Sequence, residues 1–218
     1  MRQIWRRLTF LHWPFAPDLI RPLVPRALDL DTFDGVAWIG LVPFEIHGTP
    51  LLPYFPETNL RTYVVGPEGR PAVWFFSLEA ASLAAVMGAR TAYHLPYFWA
   101  GMRVLSENSA IRYRSRRRWP HDSTAMTDIV VEPGERFAPS ELDARAHFLT
   151  DRFCLYTLAR GRVAGAAIEH PPWPLARARV VALKETLFKS AGLPAPTGDA
   201  LVHYSAELAV NIGPLELH

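Results

Sequence analysis

Four polar residues stand out from an otherwise apolar, proline- and aromatic-rich stretch: Glu57, Asn59, Arg61 and Arg90. A buried charge is costly unless it is paired, so two readings are open. In one, Glu57 pairs with Arg61 or Arg90 inside the fold. In the other, one arginine faces a cavity and grips a carboxylate through two parallel N–H bonds, with Glu57 as an acid or base.

Other residue types narrow the chemistry. The chain has 23 lysines and arginines, yet only Lys184 and Lys189 are lysines. Arginine keeps its proton, so it binds anions but cannot act as an amine nucleophile. The eight histidines show neither helical i,i+4 ligand spacing nor a His-x-His strand pair, and His12, His94, His170 and His203 sit beside aromatics or prolines. Packed imidazoles are expected, not a metal site. Cys154 is the sole cysteine and lies in the apolar run Phe153–Tyr156, which reads as a buried, inert thiol. Arg112, Arg114 and Arg116 alternate, so a strand would put them on one face, with Arg117 and Arg118 completing a basic patch. With a net charge of only +2, a solvated outer face is expected there and no nucleic-acid partner. Gly-x-Ser-x-Gly, P-loop and dinucleotide motifs are absent, and no cofactor is expected.

The elements that must position these residues follow from pattern. Residues 57–103 read as strand (Arg61–Val65), turn (Gly66–Pro71), strand (Ala72–Ser77), helix (Leu78–Ala89, capped by Ser77), loop and strand (Tyr97–Leu105). Ahead of them come a strand over Thr9–Phe15, a helix over Ala16–Val24, and a nearly continuous apolar strand over Val36–Ile46. That last run is either buried on both faces or strongly bent. A proline-rich loop spans His47–Pro56. Strands at Ala110–Arg118 and Ala125–Val131 follow, joined by a turn at Trp119–Ser123. Then come a short helix at Ser140–Leu149 with Ser140 as cap, a hairpin of Phe153–Ala159 and Val163–Glu169, a strand at Leu175–Leu183, a short helix at Lys184–Ala191, and a closing strand at Leu201–Val210. The expected class is α+β, one domain over residues 1–218, dominated by a curved antiparallel sheet.

Half of the residues are hydrophobic and 12% aromatic, enough for a sizeable core without disulfides. The longest apolar runs, such as Val73–Phe76 and Leu83–Met87, are far shorter than the ~20 residues of a spanning helix. The first fifteen residues lack an uninterrupted apolar segment and a cleavage site. No membrane partner and a cytoplasmic location are expected.

Long motifs then carry a resemblance. TFLHWP (9–14), LDTFDGVAWIGLVPF (30–44), ETNLRTYV (57–64), VWFFSLEAASLAAVMGAR (73–90), LPY (95–97), HPPWPL (170–175) and LVHYS (201–205) together resemble the DUF2071, or YqjF-like, family. That family is related to acetoacetate decarboxylase, and the resemblance implies its architecture: a cone-like antiparallel β-barrel with a few flanking helices around a pocket. The decarboxylases carry Gly-Arg-Glu and then Gly-Phe-Pro-Lys-Lys, with proline six positions after the arginine. Here Pro96 follows Arg90 at that distance, but Thr91 replaces the glutamate, and Tyr97 and Phe98 stand where the paired lysines would be. Glu57 is similar in placement to a glutamate of the decarboxylase site. Without the lysine, imine formation is not expected.

The resemblance implies a small-molecule-binding protein or a non-decarboxylating enzyme, its ligand a small carboxylate or carbonyl compound. Arg61 or Arg90 would hold the anion, Tyr97 would donate a hydrogen bond, and Glu57 would orient or exchange protons, with Asn59 beside them. Trp74, Phe76 and Trp99 are candidates for apolar pocket wall, with core packing the alternative for each. A homodimer is expected. The alternative is a self-associating protein with a vestigial pocket, whose interior would be filled by side chains rather than open.

Overall fold

Long runs rich in aromatic and β-branched residues make most of this chain strand. The computed structural model describes residues 1–49, 52–120 and 124–218. Strand β1 (Arg2–Phe15) leads into the short helix α1 (Pro17–Ile20), β2 (Asp29–Leu30) and the long hairpin β3 (Ala37–Thr49) and β4 (Leu52–Val65). Then come β5 (Pro71–Ala80), α2 (Leu83–Ala92), β6 (Tyr97–Glu107), β7 (Ala110–Trp119) and β8 (Met126–Arg136). The last part holds α3 (Ala144–Thr150), β9 (Cys154–Ala159), β10 (Arg162–Glu169), β11 (Leu175–Glu185), α4 (Leu187–Ser190) and β12 (Leu201–Leu217).

The strands form a sheet in the order β10, β9, β5, β6, β7, β8, β11, β12, β1, β3, β4, β2, and the extra pairings β10–β12 and β4–β5 curve it back onto itself. Pairing therefore traces two circuits that share the wall β12, β1, β3, β4 and β5. The shared wall is buried on both faces at β3. In β3, Ile39 and Leu41 pack into one core cluster, while Trp38, Val42, Phe44 and Ile46 pack into the other. The nearly continuous apolar run over Val36–Ile46 is thus largely a strand buried on both sides.

Most pairs are antiparallel, but β5 runs parallel to β6 and to β9. A parallel pair needs a crossover, and α2 supplies it between β5 and β6. The β9–β10 hairpin turns at Arg160 and Gly161, with φ of 53° and 78°. Two successive positive φ values are what a tight hairpin turn demands, and glycine takes the second without strain.

Several expectations change. The proline-rich segment His47–Pro56 is not a loop: apart from Pro50 and Leu51, which lie outside the described residues, it belongs to β3 and β4. In the expected turn Trp119–Ser123, residues 121–123 also lie outside them, and Trp119 ends β7. The central helix begins at Leu83, not Leu78. Ser82 caps it by accepting a hydrogen bond from the Ala85 N–H at 3.2 Å, whereas Ser77 and Glu79 are buried in β5. Likewise Asp143, not Ser140, caps α3. The Ala16–Val24 helix is shorter, α1 followed by a 3₁₀ turn at Arg21–Leu23. Arg117 also leaves the expected basic face. It points inward, donates to Glu79 at 2.5 Å and lies 3.5 Å from the Phe98 ring centroid. On the outer face Arg112 and Arg114 are both paired with Asp128.

Candidate functional site

Within the circuit of β12, β1, β3, β4, β5, β9 and β10 lies a cavity of about 350 Å³. Strand alternation explains what lines it. On β4, Phe55, Glu57, Asn59 and Arg61 are spaced by two, share one face, and all border the cavity. Successive members are about 6.6 Å apart along the strand, so the polar row from Glu57 to Arg61 spans about 13 Å. Trp5, Phe44, Phe75, Leu155, Ile168 and Trp173 make much of the remaining wall apolar, and α2 lies along it.

Glu57 is 3% exposed and accepts a hydrogen bond of 2.8 Å from the Tyr97 hydroxyl. Burial pushes its carboxyl pKa up to about 8, against the opposing pull of the Tyr97 hydrogen bond. Glu57 is therefore mostly a neutral acid at pH 7. Burial, and then the neighbouring Glu57, push the Tyr97 phenol well above its ordinary range.

Arg61 is different. It is 7% exposed, donates from one Nη to the Leu149 carbonyl at 3.2 Å, and rests over the rings of Phe10 and Tyr63. Its Nε has no hydrogen-bond partner, and it has no carboxylate partner among the described residues. Asn59, 4% exposed, likewise leaves its Oδ1 unpartnered. An amide can turn to present either its oxygen or its NH₂, so it suits a head group of either polarity. Next to them, Tyr63 donates to the Leu149 carbonyl at 2.8 Å and bonds the His12 ring at 2.6 Å, where burial and Arg61 hold the imidazole neutral.

The structure thus brings Glu57, Asn59, Arg61 and Tyr97 onto one cavity. It does not bring Arg90 there. The Arg90 guanidinium donates to the Tyr97 carbonyl at 2.6 Å and lies over Trp119, so it fixes the backbone that carries Tyr97. Neither arginine pairs with Glu57. Trp74 and Phe76 face away from the cavity, into the other core cluster, and Val73 and Phe75 line it instead. The run Val73–Phe76 is wholly apolar, so its parity was invisible in the sequence. Trp99 sits outside the wall, donating to the Ala81 carbonyl at 3.2 Å.

Arg152, not among the residues expected from sequence, also borders the cavity, its charge met by Asp31 at 2.6 Å. No local signal marks it, because Asp31 is 121 positions away. No group of three or more His, Cys, Asp or Glu side chains that could hold a metal occurs among the described residues. Among them, too, no helix is long and apolar enough to cross a membrane.

The architecture is a curved sheet closing around an apolar cavity, with a buried acid and an arginine that has no carboxylate partner among the described residues. Its solved relatives in shape are acetoacetate-decarboxylase-like proteins. An acetoacetate decarboxylase superposes with a TM-score of 0.69 at 14% identity, covering 100% of this chain and 88% of that one. The acetoacetate decarboxylase of Legionella pneumophila gives 0.65 at 13% identity, over 98% of this chain and 86% of that one. The enduracididine biosynthesis enzyme MppR, complexed with pyruvate, gives 0.67 at 13%, over 99% and 89%. At these identities the likeness is one of fold. In sequence, the chain is 39% identical to the uncharacterized protein YqjF of Bacillus subtilis (strain 168), over 99% of this chain and 91% of that protein. The DUF2071 family model, described as an uncharacterized conserved protein, matches residues 2–209, and the chain belongs to that family.

Proposed function

We propose that the cavity binds a small organic acid, with Arg61 and Asn59 holding its charged head and Glu57 with Tyr97 able to exchange a proton with it. The observation that carries this reading is Arg61: a cation in an apolar cavity, without a counter-charge among the described residues and with a free N–H. An uncompensated buried charge lowers stability, so a site that keeps one is best explained by an anion that completes it. The pyruvate held by MppR is an acid of this kind. The open cavity also favours this reading over a vestigial pocket, whose interior would be filled.

The chemistry differs from imine catalysis. Neither Lys184 nor Lys189 borders the cavity, and Tyr97 has no amine. What remains is binding, orientation and proton exchange by Glu57, whose raised pKa keeps a proton available near neutral pH.

A thermal-shift screen of short carboxylates against matched ketones tests the reading. An acid present at a hundred times its Kd adds about 2.7 kcal/mol of stability. Carboxylates should raise the melting temperature of the wild-type protein and leave Arg61→Met unmoved. Equal shifts in the two proteins would overturn the assignment.

A further inference from the structure

We propose that the ligand is an amphiphile, a monocarboxylate whose apolar tail lies along the alanine–glycine face of α2, with Gly88 setting the accepted tail length. This rests on the reading of Arg61 and Asn59 as the head-group site and goes on to the rest of the molecule.

Two independent observations meet here. The first is the pair of unpartnered polar atoms, Asn59 Oδ1 and Arg61 Nε, on residues 4% and 7% exposed in one wall of the cavity. With the Asn59 amide turned to present its NH₂ beside Arg61 Nε, both donate toward one small anionic head, while most of the remaining wall is aliphatic or aromatic. A ligand that was polar throughout would leave its own groups without partners there.

The second is the small-residue make-up of the cavity side of α2. A surface helix ordinarily turns its large apolar side chains inward. On α2 the cavity side carries Ala84, Ala85, Gly88 and Ala89, while Leu83 and Met87 are each 46% exposed to solvent. Ala84 and Gly88 are themselves accessible, so solvent reaches this face and a tail can too. A Cβ built at Gly88 meets no heavy atom within 4 Å. Val86 is the residue α2 buries in the core, but at the cavity-lining positions larger side chains would bury more apolar surface, and their absence leaves room along the helix for something that is not protein.

The test is calorimetric titration of the full chain with straight-chain monocarboxylates from butyrate to decanoate. The variants are Gly88→Leu, Gly88→Ala as a control for helix integrity, and Arg61→Met. For the wild type, affinity should rise about threefold to fourfold per methylene until the cavity is filled, and then level off. Gly88→Leu should lower affinity for the long members by about tenfold or more and leave butyrate unchanged, with Gly88→Ala near wild type. Arg61→Met should weaken every member. A series flat in chain length that still depends on Arg61 would overturn the amphiphile and leave the acid site standing, as would a Gly88→Leu profile matching the wild type. Failure of every member to bind the wild-type protein would overturn the acid site itself, and the amphiphile with it.

Discussion

At the scale of single residues, Glu57 gives the sharpest signature because its ionisation is coupled to folding. Its carboxyl titrates near 4.5 when free and near 8 in the folded protein, so folding takes up a proton between those values. The stability held below pH 4.5 is therefore lost as pH rises through about 8. The loss should be on the order of 5 kcal/mol at full ionisation. Glu57→Gln should remove this dependence. Urea denaturation at pH 5 and pH 9 should show the two proteins close at pH 5 and the variant clearly more stable at pH 9; parallel pH profiles would contradict the raised pKa. Glu57, Asn59 and Arg61 were legible as a set because they are polar residues in an otherwise apolar stretch, although the strand was expected to begin only at Arg61 and β4 in fact carries all three. Their partners were not. Tyr97 reaches Glu57 across forty positions, and nothing in either segment announces the bond.

At the scale of elements, the strand–helix–strand unit of residues 57–103 was legible in outline, but its joints were misplaced. Leu78 to Ala80 carry a helix-compatible composition, yet Glu79 is fixed in β5 by its ion pair with Arg117 of β7. That pair reaches across β6, beside the strand residue Phe98 that adjoins Tyr97. Glu79 is 0% exposed, so taking away its cation leaves a buried carboxylate short of charge. Arg117→Ala should cost about 3–5 kcal/mol, read from the urea midpoint. A loss below about 1 kcal/mol would show that the pair does not hold these strands. At the start of α2, Ser82→Ala should cost about 1 kcal/mol by removing the cap on the Ala85 N–H. Ser77→Ala, by contrast, removes a hydroxyl that caps nothing. Sequence pattern could not choose between these serines, because the choice is made by the pairing of β5 with β4.

At the scale of the whole molecule, the class and curvature of the sheet were legible through long shared motifs, and the β4–β5 hairpin through its turn, whereas the closing pairing of β10 with β12 was not. It depends on β12 running to Leu217, beyond the strand expected to end at Val210, so that it reaches β10 as well as β1. Neither lysine borders the cavity. Borohydride should therefore trap no covalent adduct with a 2-oxo acid, as mass spectrometry of the intact chain would show; a trapped adduct would mean that an amine, a lysine's or that of Met1 in the cavity wall, reaches the ligand. The central claim is that Arg61 holds the head of an acid inside this cavity. A crystal structure of the protein soaked with hexanoate tests it most directly. The account places the carboxylate within hydrogen-bond distance of Arg61 Nε and the Asn59 amide, with its tail toward α2. A carboxylate bound elsewhere, with the cavity empty, would contradict it.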